Sequence, residues 1–144
     1  MLRLKLLHKT VVLWSLISSS ACASSDMESL VFECFSSQPI LIEITIHQKN
    51  SHLELVAFSF KGKSLSQPEL LTDFTLDQYH RALVDEKSVT FNLGERSILL
   101  SEYHSEEFGE AETIISVTLK HLKQTQYFEC EAGSSSNLSL LFKE

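Results

Sequence analysis

Histidine, carboxylate and cysteine are the side chains of this chain that could do chemistry, and their spacing limits what they can do. His47 and His52 bracket the polar turn 48–51, which would set two imidazoles on neighbouring strands, across from each other. Neutral imidazole serves as metal ligand or general base. A zinc site takes three or four ligands, however, and His80, His104 and His121 are scattered. The run Glu102-Tyr103-His104-Ser105-Glu106-Glu107 puts acid beside imidazole, yet consecutive strand residues point to opposite faces. No Gly-x-Ser-x-Gly elbow presents a serine nucleophile, and no glycine-rich loop cradles a phosphate. The expectation is a chain with no metal, no cofactor and no catalytic residues. A small hydrolase or metal-binding protein would need a site assembled from these dispersed histidines and acids. Glu102, Glu106, Glu107, Glu110 and Glu112 surround Gly109 in a predicted hairpin loop, a negative tip able to steer a basic protein.

What the cysteines do depends on compartment, and the first residues address that. Arg3, Lys5, His8 and Lys9 precede an apolar run over 10–17 and then small residues, the order of a secretory signal peptide. The run falls well short of the ~20 residues of a membrane-spanning helix. Two cleavage readings stay open for the segment 1–23. Ala21-Cys22-Ala23 suits ordinary signal peptidase cutting before Ser24, whereas Ser19-Ser20-Ala21-Cys22 resembles a lipoprotein signal in which Cys22 becomes the acylated first residue. Either cut leaves Cys34 and Cys130 in one domain, residues 24–144, in a compartment that permits disulfides. A Cys34–Cys130 bond is expected, with two buried free thiols as the alternative. The location expected is the periplasm or the outer membrane, with membrane contact only through a lipid on Cys22.

Charge narrows the partner. The first 23 residues hold three of the twelve basic residues and none of the nineteen acidic ones, so the chain from Ser24 carries a formal −10. Nucleic acid needs a basic surface and is excluded. A basic protein fits, although acidic charge also serves solubility alone. The oligomeric state is not legible.

The elements that must position these residues read as strands. Ile40, Ile42, Ile44 and Ile46 alternate with Leu41, Glu43, Thr45 and His47, and the segment 52–60 returns from the turn as the second arm of a hairpin. Segments 88–93 and 97–103 form a second hairpin around Gly94, and 111–121 with 124–130 a third. A last strand is expected over 137–142. The stretch 70–84 is ambiguous: 70–76 reads as a strand, while Thr75 capping Leu76, Tyr79 and Leu83 reads as a short helix. Hairpin-linked strands of this kind predict an all-β fold, a small antiparallel eight-stranded barrel or sandwich closed by one disulfide.

Phe32-Glu33-Cys34 followed by Pro39 and an aliphatic strand, with a late cysteine and Val89-Thr90-Phe91-Asn92-Leu93-Gly94-Glu95-Arg96-Ser97 between them, resembles a known family. The layout over about 30–131 is similar to the bacterial membrane-bound and periplasmic inhibitors of c-type lysozyme. The second segment resembles their aromatic-x-Lys-Gly-x-x-Ala motif at Phe91 and Gly94. The resemblance implies an exported eight-stranded barrel that binds lysozyme through a serine in a Ser-Gly-x-x-Tyr loop and a lysine before the glycine. Here Leu93 replaces that lysine, and Tyr79-His80-Arg81-Ala82-Leu83 stands for the loop without its serine or glycine. Arg81 is then the candidate cation for lysozyme's acidic cleft. Tyr79, Arg81, Phe91 and Gly94 are the candidate partner-binding residues of an envelope protein-binding module. The alternative is a structural or assembly lipoprotein of the envelope.

Overall fold

The computed structural model describes residues 27–143 and is all-β apart from one short 3-10 turn. The expected signal segment 1–23, with Cys22, lies outside the described residues. The first strands, β1 (Glu28–Ser36), β2 (Ile42–Lys49) and β3 (His52–Phe60), make an antiparallel meander. Two short strands, β4 (Lys63–Ser64) and β5 (Glu69–Leu71), both pair with β3. A second meander follows: β6 (Phe74–Arg81), β7 (Val84–Leu93), β8 (Arg96–Ser105), β9 (Glu112–His121) and β10 (Gln124–Glu129), in the spatial order β10-β9-β8-β7-β6. The chain then returns to the first sheet, where β11 (Ser135–Ser136) pairs with β1.

The two sheets share one core. Inward residues of the first sheet, such as Phe32, Ile44 and Leu55, meet Phe91, Ile98, Leu100 and Phe128 of the second, all buried. Period-two alternation does this directly, because it gathers the apolar residues of a strand onto one face. Val31 and Phe32 break the alternation and are both buried; the register of β1 against β2 shifts at this point, a bulge that turns consecutive residues inward. Across the core the rings of Phe60 and Phe128 meet edge to face, with centroids 5.9 Å apart.

One seam between the sheets is closed. Cys34 of β1 is bonded to Cys130, just past β10, and Glu131 N donates to Phe35 O at 2.8 Å. Glu131 Oε1 also accepts from Ser37 N at 2.8 Å, which ties the β1–β2 loop beside the disulfide. At the other seam β6 pairs with β7 alone among the described residues. The strands therefore form two antiparallel sheets rather than one continuous barrel wall. Among the described residues they number eleven rather than eight, three of them only two or three residues long.

Two expectations are decided at the ends of the chain. The ambiguous stretch is a strand: β6 pairs with β7 from Phe74–Phe91 to Arg81–Val84. The expected last strand is instead a 3-10 turn, Leu138–Phe142. Its apolar residues explain the change. Leu138, Leu141 and Phe142 stand at i, i+3 and i+4, a helical spacing, and all three pack on the core, Leu138 completely buried.

Candidate functional site

Directly opposed residues on antiparallel strands share a face, so the register of β6 to β10 sorts the second sheet into an inner and an outer surface. The inner face is apolar only over the half that meets the first sheet. Beyond Val89 and Leu100 it carries Lys87, Asp85, Glu102 and His104, one from each alternate position. Here Asp85 pairs with Lys87 and lies 3.4 Å from His80 Nδ1, and Gln78 Nε2 donates to it at 3.2 Å. The Lys87 ammonium, with help from Gln78 and His80, holds the Asp85 carboxyl below its ordinary range. Glu102 stands opposite Lys87, yet its Oε2 is buried with no hydrogen-bond partner. His104 reaches Thr113 Oγ1 at 3.0 Å and Glu106 Oε1 at 3.4 Å. Each of these two histidines thus meets one carboxylate. Among the described residues no three His, Cys, Asp or Glu side chains gather closely enough to hold a metal ion.

The hairpin histidines do not face each other. His47 stands opposite Glu54 and contacts Glu28 Oε1 at 2.5 Å, whereas His52 stands opposite Lys49. The expectation of facing imidazoles misplaced the register by two residues, the offset that a symmetrical two-residue turn at Asn50-Ser51 imposes.

The outer face is different in kind. Tyr79, Glu86, Tyr103 and Ile114 form one row across β6, β7, β8 and β9; Asp77, Ser88, Ser101 and Ser116 form the next; Thr75, Thr90, Leu99 and Thr118 the third. On β10 the last two rows continue with Glu129 and Tyr127. All three tyrosines of the chain stand on this surface. Between their rows runs a floor of serines. Ser101 and Ser116 are only 6% and 7% exposed although they point away from the core, because the larger side chains on either side overhang them. Ser101 Oγ donates to Glu86 Oε1 at 2.7 Å. At the β6 side the floor opens into a hollow of about 390 Å³ lined by Asp77, Tyr79, Glu86, Ser88 and Leu99 among others.

The end of this sheet carries the acidic tip. Glu106 N donates to Leu83 O at 2.9 Å, which docks the β8–β9 loop on the β6–β7 turn. Arg81 is ion-paired with Glu107 of that loop. Phe108, 90% exposed, stands out between Glu107 and Glu110 in this loop, and Leu83, in the turn on which the loop docks, is exposed too. The five acidic residues grouped by sequence are divided here: Glu106, Glu107 and Glu110 lie in the loop and Glu112 opens β9, but Glu102 faces inward.

The candidate partner-binding residues are not brought together. Tyr79 and Arg81 share the outer face of β6, near the tip. Phe91 is 2% exposed in the core, and Gly94 lies in the β7–β8 turn at the far end of the sheet. From Val84 to Gly94 the strand runs roughly 33 Å. The serine floor and the tyrosine rows were not singled out from sequence. Their signal, alternation of Ser and Thr with apolar residues in β7 and β9 and Ser101 between them on β8, becomes a surface only once the register is known. Comparison with family models, curated proteins and solved structures finds no match for the chain.

Proposed function

We propose that the chain is an exported binding module of the bacterial cell envelope whose partner is a basic protein, with c-type lysozyme the first to test. The observation that carries this reading is the end of the second sheet, where β6 is exposed at all eight positions and lies beside an acidic loop crowned by Phe108. An exposed aromatic flanked in the loop by Glu106, Glu107 and Glu110 supplies both parts of a protein interface: an anchor that a partner can desolvate and a field that steers the encounter. A formal −10 from Ser24 onward adds long-range attraction for a basic partner. The Cys34–Cys130 bond, joining an early strand to the end of a late one, is the feature shared with the layout of the lysozyme inhibitors. In this reading the module acts by docking, without catalysis or cofactor, in the periplasm or on the outer membrane, held there by an acyl chain if Cys22 is retained.

A second reading, an assembly lipoprotein with no soluble target, is favoured by one feature: the outer edge of β6 has no strand partner among the described residues, and such edges accept added strands. Surface-immobilised lysozyme separates the two. The binding module associates at low ionic strength, with a rate that drops steeply as the Debye length shrinks from ~30 Å at 0.01 M to ~8 Å at 0.15 M salt. No association with lysozyme at low salt removes that partner and shifts the weight to envelope assembly.

A further inference from the structure

The outer face of the second sheet has a shape and chemistry of its own, apart from the acidic tip. Its serine row, Ser88, Ser101 and Ser116, is a trough that crosses the strands, ended by Asp77 on β6 and Glu129 on β10, about 19 Å apart at ~4.8 Å per strand. Tyr79 and Tyr103 stand along one side and Tyr127 along the other. Tyr79 and Tyr127 are 54% and 56% exposed, so more than half of each residue is open to a partner. Ser101 and Ser116 are covered by their larger neighbours, so the open part of the row is its β6 end, where the hollow beside Ser88 leaves room for one long side chain.

The sign of the charge selects the ligand. Asp77, Glu86 and Glu129 all stand on this face; of its cations Arg81 is held by Glu107, and Lys120 stands on β9, three strands from β6 and outside the lining of the hollow. Lys87 and its partner Asp85 belong to the opposite face. An anion would meet three carboxylates here. A cation would meet carboxylates and aromatic faces together, the combination that binds guanidinium and ammonium groups.

We propose that the β6 end of the trough receives an arginine or lysine side chain of the basic partner, its cation seated in the hollow between Asp77, Tyr79 and Glu86. This rests on the proposed binding of a basic protein and adds where, and by which side chains, that protein is held. Guanidinium is preferred over ammonium, since a planar cation both stacks on Tyr79 and forks onto a carboxylate.

Titrating the full ¹⁵N-labelled chain with tetra-arginine amide, tetra-lysine amide and a neutral β-linked glucose tetrasaccharide tests the site by amide shifts. Tetra-arginine should shift Tyr79, Ser88 and Ser101, with tetra-lysine weaker. The double variant Asp77→Asn/Glu86→Gln should weaken tetra-arginine at least tenfold at low salt while its spectrum and melting temperature stay those of the parent. Tyr79→Leu should erase the preference for arginine. Shifts confined to the 106–110 loop, unchanged affinity in the double variant, or shifts of the trough by the saccharide and not by tetra-arginine would each overturn the proposal. Lysozyme is run in parallel. Trough binding of the peptide without lysozyme binding discards lysozyme alone, whereas full lysozyme binding by the double variant discards the trough.

Discussion

Glu131 shows how one side chain links chemistry to fold. Its carboxylate accepts from both the backbone N–H and the hydroxyl of Ser37, and these hydrogen bonds to the charged form hold its pKa below the ordinary carboxylate range. Asp85 is held low as well, first by Lys87. A carboxyl depressed in the folded state lends stability that is fully present above its unfolded pKa, near 4, and is lost as pH falls through the lower folded value. Melting temperature should therefore drop on acidification below about pH 4, and Glu131→Gln should flatten that dependence; an unchanged slope in the variant would remove Glu131 from the account. Arg81 and Leu93 bear on the lysozyme reading. Arg81→Ala should weaken any inhibition of lysozyme more than Lys143→Ala, measured as residual lytic activity, because Arg81 sits at the tip. Leu93→Lys should strengthen inhibition if the far end of β7 takes part, at a packing cost, since Leu93 lies against the core.

Single elements differ in how strongly they are held. The 3-10 turn acts as a plug: Leu138 is wholly buried under it and Asn137 N donates to Val31 O at 2.8 Å. Leu138→Ala should lower unfolding free energy by ~2 to 5 kcal/mol, the range for deleting a buried leucine, as read from urea denaturation. In contrast β6 buries no residue and, among the described residues, pairs on one side only. Hydrogen exchange should therefore find its outward amides unprotected while those of β8, flanked by β7 and β9, exchange slowest. Equal protection of the two strands would mean that another chain covers the β6 edge.

At the scale of the molecule, the disulfide joins residues 96 apart and fastens the sheets along their closed seam. Cys34→Ser should cost ~2 to 5 kcal/mol, the usual loss for a small secreted domain, measured by denaturation under non-reducing conditions. The sequence by itself determined the three hairpins, the all-β class and the cysteine pair: the first two follow from period-two apolar patterning and turn residues, and the pair from Cys34 and Cys130 being the two thiols beyond the segment 1–23. It left 70–84 undecided because Leu76, Tyr79 and Leu83 satisfy a helical spacing that only pairing with β7 overrules. Pattern also assigned 137–142 to a strand, where packing of Leu138, Leu141 and Phe142 onto the core favours a turn of helix. Tertiary structure alone decided the candidate surface. Tyr79, Tyr103 and Tyr127 are far apart in sequence, and only the register of β6 to β10 sets them around one serine floor. The same register buries Phe91 and sends Gly94 to the opposite end of the sheet from Arg81, since neighbourhood across strands depends on which residues are paired, not on how near they stand in the chain.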